Sequence, residues 1–163
     1  MKDSAQPVRI EPARSESELA IARGLFEEYA ARLGVDLCFQ GFSAELMMLD
    51  TMYAAPTGCL LLAWLGDAAA GCAGVRRLSG ELCEMKRLYV RDGYRGLGVG
   101  RKLAVQLLAR ARELGYRSMV LDTLEGMREA RGLYASLGFR ECAPYYDNPL
   151  AGVVYMQLDL TQT

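Results

Sequence analysis

The stretch Leu88-Tyr89-Val90-Arg91-Asp92-Gly93-Tyr94-Arg95-Gly96-Leu97-Gly98-Val99-Gly100-Arg101 constrains this chain more than any other. An apolar strand end runs into a basic, glycine-rich loop, and the loop opens into an amphipathic helix. Gly96, Gly98 and Gly100 let the backbone turn tightly with no Cβ in the way. The first N–H groups of a helix have no partner inside it. Aimed into the turn and backed by the helix dipole, they form an anion site. Arg95, Arg101 and Lys102 add formal positive charge around it. The loop predicts a phosphate-bearing ligand.

Three kinds of phosphate loop compete. In a dinucleotide fingerprint, Gly96-x-Gly98 would follow a strand and open a helix, but Gly100 falls one place early for G-x-G-x-x-G. A polar loop also separates Val90 from Gly96, where a Rossmann turn is tighter. Asp122 does end the next predicted strand at about the expected spacing of ~20 residues. Only one strand–helix–strand unit of this kind is evident, however. A P-loop needs Gly-Lys followed by Ser or Thr, and the chain has none.

The third kind fits better. Arg95-Gly96-Leu97-Gly98-Val99-Gly100 matches Arg/Gln-x-x-Gly-x-Gly/Ala. Set after Met85-Lys86-Arg87-Leu88-Tyr89-Val90 and before a long helix, it resembles the acyl-CoA-binding signature of the GNAT family of N-acetyltransferases. A second motif, Tyr134-Ala135-Ser136-Leu137-Gly138-Phe139-Arg140, is similar to the family's helix ending in Tyr-x-x-x-Gly-Phe. Two motifs at matching spacing arise by chance far less often than one.

Composition narrows the chemistry. The 163 residues suffice for one domain with a real core. A formal net charge of −1 gives no argument for nucleic-acid binding. No apolar run is long enough to span a membrane, and the first seven residues lack the apolar core of a signal peptide. A cytoplasmic protein is expected. The five cysteines are odd in number, widely spaced and without a Cys-x-x-Cys, so they read as reduced thiols. The chain has no histidine, which removes Ser-His and Cys-His catalysis and the usual zinc sites. No metal is expected. A general base must be a carboxylate, an amine, a tyrosine or water.

In order along the chain, Val8 to Glu11 alternates as a short strand. Ser15 and Glu18 form a capping box for a helix whose stripe is Leu19, Ala22, Leu25, Phe26, Tyr29 and Leu33, with Gly34 at C′. Ser43 is placed to cap a second short helix. Cys59 to Leu65 is a continuous apolar run, as in a strand covered on both faces. A turn at Gly66-Asp67 leads to a strand from Ala70 to Leu78, whose small residues permit close packing or a bulge. Leu82 to Val90 is the strand that feeds the glycine loop. A helix from about Gly98 to Leu114, a strand Ser118 to Asp122, a helix Met127 to Leu137, a short strand at Phe139 and a last strand Gly152 to Leu160 complete the reading. The strands on either side of the glycine-loop helix form a parallel, right-handed crossover. The order β-α-α-β-β-β-α-β-α-β-β gives an α/β fold with a mixed sheet, in one domain over residues 1–163 with its core at about 8–160. It has the form of the GNAT fold.

That resemblance implies an enzyme transferring the acetyl group of acetyl-CoA to the primary amine of a small molecule, by direct attack on the thioester. Two strands splay apart, and the backbone of Leu88, Tyr89 and Val90 holds pantetheine, with the Val90 N–H as oxyanion donor. The backbone from Arg95 through Gly96, Leu97, Gly98, Val99 and Gly100 to Arg101 holds the pyrophosphate. Tyr134 is the general acid for the departing thiolate, since an ordinary phenol at about 10 can protonate a thiol near 8.5. Glu84 is the candidate base, weighed evenly against a carboxylate merely paired with Arg87 or Lys86. Asp122 reads as a turn residue, and Arg87 is left undecided. Phe39, Gln40, Phe42, Tyr145, Tyr146 and Asn148 are the candidate walls of the acceptor cleft, and a small amine or amino-acid-like acceptor would suit aromatics beside Asp147. The alternatives are a non-catalytic acyl-CoA-binding module of the same fold and, more remotely, a Rossmann-like nucleotide binder. The sequence does not specify an oligomeric state.

Overall fold

The computed structural model describes residues 6–34, 37 and 41–162. One seven-stranded sheet organises it, in the order β1-β2-β3-β4-β5-β7-β6. The strands are β1 (Val8–Pro12), β2 (Cys59–Leu65), β3 (Ala68–Ser79), β4 (Leu82–Val90), β5 (Ser118–Leu124), β6 (Arg140–Glu141) and β7 (Val153–Asp159). The helices are α1 (Glu16–Leu33), α2 (Phe42–Met47), α3 (Leu49–Met52), α4 (Val99–Glu113) and α5 (Arg128–Ser136). A 3-10 turn, Asp92–Tyr94, leads from β4 toward the glycine loop. Only β4 and β5 pair in parallel, as the crossover predicts; the other neighbours are antiparallel.

The apolar run of β2 is covered on both faces. Leu61 and Ala63 pack into a core with α4, while Leu60 and Leu62 pack into a second core with α1. The α4 stripe Leu103, Ala104, Leu107, Leu108 and Ala111 is buried, and so are Ala22, Leu25 and Phe26 of α1. The capping box of α1 forms as predicted: Glu18 N–H donates to Ser15 Oγ at 3.1 Å and Ser15 N–H to Glu18 Oε1 at 2.9 Å.

Two local expectations are corrected. Ser43 does not cap α2; it sits inside the first turn, and Gly41, left-handed at φ 70, holds the cap position without a side-chain bond. β5 runs on to Leu124, so Asp122 is a strand residue opposite Tyr155 of β7 and not a turn residue. Extended pairing with β7 overrides the turn preference of an aspartate.

The small residues of β3 serve close packing and a bulge together. Between the pairs Cys72↔Tyr89 and Gly74↔Lys86, Arg87 and Leu88 of β4 oppose the single Ala73. Arg87 takes the left-handed conformation, φ 59, which costs a residue with a Cβ about 1–2 kcal/mol. Gly71 lets the Tyr89 carbonyl approach where a Cβ would collide with it. The bulge interrupts strand alternation. Glu84, Lys86 and Arg87 therefore gather in one ionic cluster, whereas Leu88 and Val90 pack against the α4 core.

Candidate active site

β4 and β5 pair only at Leu82↔Ser118, Cys83↔Met119 and Glu84↔Val120. Beyond Glu84 the strands part, although β4 continues to Val90 and β5 to Leu124. The gap leaves β5-facing backbone groups of β4 without a strand partner among the described residues, and such groups seek a hydrogen bond. A cleft of about 610 Å³ runs from this gap to the glycine loop. Leu88, Tyr89, Val90, Arg95, Gly96, Gly98, Val99 and Gly100 all line it.

The glycine loop is shaped for close approach. Gly96 (φ 79) and Gly98 (φ 78) are both left-handed, and a Cβ at either position would meet nothing within 4 Å. Gly98 caps α4 with no side-chain bond, so the first N–H groups of the helix stay available. The loop and helix start thus fit a pyrophosphate. Arg32 of α1 and Arg128 of α5 line the same cleft, two cations the sequence motifs do not include. Two residues of the predicted set stand apart. Leu97 is 52% exposed, and the Arg101 guanidinium donates to Ser136 Oγ at 2.7 Å; neither side chain lines the cleft.

A smaller cavity of about 40 Å³ continues inward. Tyr29, Leu33, Leu88 and Met127 line both spaces, which therefore adjoin at the gap. Tyr134 reaches this cavity from α5, and its ring stacks edge-on with Phe139 at 5.8 Å. The Tyr-x-x-x-Gly-Phe motif thereby fixes the ring, because the chain turns back after Gly138 (φ 101). Burial, assisted by Tyr29 and Asp122, pushes the Tyr134 hydroxyl above the ordinary phenol value. Its hydroxyl has no hydrogen bond among the described residues.

Lys86 and Arg87 line the inner cavity and belong to a buried ionic cluster behind it. Glu84 is 1% exposed. Its Oε1 accepts from Arg76 at 2.8 Å and stands 3.9 Å from Lys86, while Oε2 accepts from the Tyr145 hydroxyl at 2.5 Å. Burial and the Glu84 carboxylate push the Tyr145 phenol well up, so it stays a donor. Both Glu84 oxygens are thus engaged; the pairing is with Arg76 and Lys86, not with Arg87. Arg87 instead forms a two-pronged bond to Glu45 of α2, at 2.9 and 3.0 Å. The Tyr53 hydroxyl donates to the same carboxylate at 3.0 Å. Burial alone would raise Glu45, but the Arg87 guanidinium overrides it and holds the carboxyl below its usual range.

Of the predicted acceptor walls, Phe42 lies over the Arg87 guanidinium at 5.2 Å. Tyr145 and Tyr146 pack with Tyr155 in a cluster of rings 5.2 to 5.8 Å apart. Asn148 lines the cavity. Phe39 and Gln40 lie outside the described residues. Asp122, which sequence reasoning set aside, belongs to the site: it lines the cavity and accepts from Tyr146 at 2.6 Å and from Asn148 at 3.3 Å. Tyr29 was assigned only to the packing stripe of α1, and nothing in helical spacing announces that this stripe ends beside the gap.

The acetyltransferase (GNAT) family model matches residues 25–139. An uncharacterized N-acetyltransferase of Schizosaccharomyces pombe is 43% identical over 140 residues, which is 85% of this chain and 86% of that protein. A GNAT-family acetyltransferase from Staphylococcus aureus superposes with a TM-score of 0.77 at 21% identity, over 94% of this chain and 99% of its own. The yncA protein from Salmonella typhimurium, solved with its cofactor acetyl-CoA, superposes at 0.68 and 21% identity, over 96% of each chain. The chain superposes on these structures over nearly its whole length, and with the family match and the relative it belongs to the acetyltransferase (GNAT) family.

Proposed function

We propose that the protein transfers the acetyl group of acetyl-CoA to the primary amine of a small molecule. One observation carries this reading: the parting of β4 and β5 joins the long cleft to the inner cavity, which Tyr134 lines. The long cleft suits a nucleotide tail, and the narrow inner end suits a small head group. Acetyl-CoA supplies an activated thioester. The chain's own groups do the rest. The glycine loop and the cations Arg32, Arg95 and Arg128 hold phosphate, and the open β4 edge at Leu88 and Val90 offers backbone hydrogen bonds. The Val90 N–H opposes charge building on the carbonyl oxygen. Tyr134 holds its proton for the departing thiolate.

Base catalysis is assigned to water or to a group other than Glu84. With Arg76 on one oxygen and Tyr145 on the other, Glu84 acts in this account by fixing Tyr145 in the ring cluster with Tyr146 and Tyr155. A non-catalytic acyl-CoA binder uses the same loop but has no need of an acid at Tyr134, which favours the enzyme. The test is to incubate the protein with isotopically labelled acetyl-CoA and pools of primary amines and to search by mass spectrometry for label in the amines. Labelled amide in one pool, absent without protein, supports transfer. Label that stays in acetyl-CoA across all pools, with the cofactor still bound, supports the binder instead.

A further inference from the structure

We infer that the acceptor is an amine that also carries a carboxylate, and that Lys86 recognises the carboxylate. This rests on the acyl-transfer reading and names its substrate class. Lys86 is 8% exposed and lines the inner cavity. An ammonium has three donors, yet among the described residues Lys86 makes no hydrogen bond; its nearest partner is Glu84 Oε1, at 3.9 Å. That oxygen already receives Arg76 at 2.8 Å. A buried cation left in this state is costly unless an anion meets it.

On the β4 side of the cavity the charges do not balance, and among the described residues only Asp122 of β5 evens the count. Arg76, Lys86 and Arg87 are three cations, and Glu45 and Glu84 are the two carboxylates paired with them. Arg87 is committed to Glu45 through two bonds and Arg76 to Glu84, so Lys86 carries the surplus. Across the cavity on β5 stands the Asp122 carboxylate, held by Tyr146 and Asn148. The cavity is therefore bipolar, positive on the β4 wall and negative on the β5 wall. A zwitterion matches it: the carboxylate meets Lys86, and the ammonium is drawn toward Asp122, beside the gap where it gives a proton to water and the neutral amine attacks the thioester, the C–S bond breaking as the C–N bond forms. A plain amine leaves Lys86 unanswered.

The experiment compares matched pairs of acceptors, each an amino acid and the same amine without its carboxylate: L-phenylalanine and phenethylamine, L-leucine and isoamylamine, glycine and methylamine. The wild-type protein should prefer the acids by about tenfold or more in kcat/KM, as a charge-assisted hydrogen bond implies. Lys86→Met should abolish the preference by raising KM for the acids, with KM for the amines and for acetyl-CoA nearly unchanged, and Lys86→Arg should restore part of it. If Lys86→Met does not fold, 3-phenylpropionate serves with the wild-type protein and should compete with the amine acceptor, whereas 3-phenylpropanol should not. Turnover of the amines with no preference for the acids overturns the inference and leaves acyl transfer standing. So does a preference that survives Lys86→Met, or an equal loss of kcat for both members of each pair, which would make Lys86 a proton carrier or a structural cation. No transfer to any acceptor, with or without a carboxylate, overturns the acyl-transfer reading itself and this inference with it.

Discussion

Tyr134 combines two demands: it fills a core, and in the proposed reaction it donates a proton. It packs in the α4 core and lines the inner cavity. The same burial raises its pKa, so the hydroxyl keeps its proton through the range where a thiolate leaves. The sign of the pH effect follows. A raised acid stays protonated to a higher pH, so Tyr134 adds no alkaline fall in kcat below about pH 10. Measuring kcat at saturating substrates from neutral pH upward checks this; a fall near pH 8 that disappears in Tyr134→Phe would contradict it. The place of Tyr134 beside the cavity was legible in the sequence because a motif marks it. Asp122 was misread because an aspartate at the end of an apolar run usually begins a turn; only the pairing with Tyr155 across β7 keeps it in the strand. Lys86 carried no motif at all. Its meaning depends on the bulge that turns Arg87 to its own side, and no spacing rule encodes that.

At the scale of elements, the bulge and the glycine loop are the two devices that build the site. The bulge is held by the Glu45–Arg87 pair, which ties α2 to β4. Both side chains are buried, at 1% and 5% exposure, and breaking such a pair from one side costs about 3–5 kcal/mol. Glu45→Gln should lower unfolding free energy by about that much at neutral pH, measured in urea. The folded Glu45 is lowered, so its stabilisation is complete above the unfolded carboxylate value of about 4.3 and fades as pH falls through the lower folded value. The two proteins should converge in acid. A gap that widens in acid would refute the assignment. In the glycine loop, Gly98 sits at φ 78. Gly98→Ala should cost about 1–2 kcal/mol of strain and weaken acetyl-CoA binding more than it lowers kcat, read by titration and steady-state kinetics. Most elements were legible because each carries its own periodicity or cap. The capping box of α1 and the stripe of α4 are local facts. The cap of α2 was not, because Gly41 does by backbone conformation what Ser43 was expected to do with a side chain.

For the whole molecule, the sheet separates two cores and opens at one described edge between strands. Leu61 and Leu62 of β2 are neighbours in sequence yet belong to cores on opposite faces, and residues packed on each of them, Leu88 and Tyr29, both line the cleft at the gap beyond Glu84. The order of elements and the crossover predicted that gap through family resemblance; the ionic cluster beside it could not be foreseen, since Glu45 of α2 lies 42 residues before its partner Arg87. No described helix is long and apolar enough to cross a membrane. Acetyl-CoA should protect the folded state. At about a hundred times its Kd it adds ~2.7 kcal/mol, enough to raise Tm by several degrees, with NAD giving no shift. Protection by NAD and none by acetyl-CoA would contradict the acyl-CoA reading of the glycine loop.

The most direct measurement is the rate of amine-dependent thiol release from acetyl-CoA, followed with a chromogenic disulfide, for the wild-type protein and for Tyr134→Phe. Protein alone is the control for its own thiols, of which Cys72 and Cys83 are buried. Release is expected only when acetyl-CoA and an acceptor are both present, with kcat reduced by ~10²–10⁴-fold in Tyr134→Phe and acetyl-CoA affinity retained. An unchanged kcat in Tyr134→Phe, or no amine-dependent release from a protein that binds acetyl-CoA, would contradict the account.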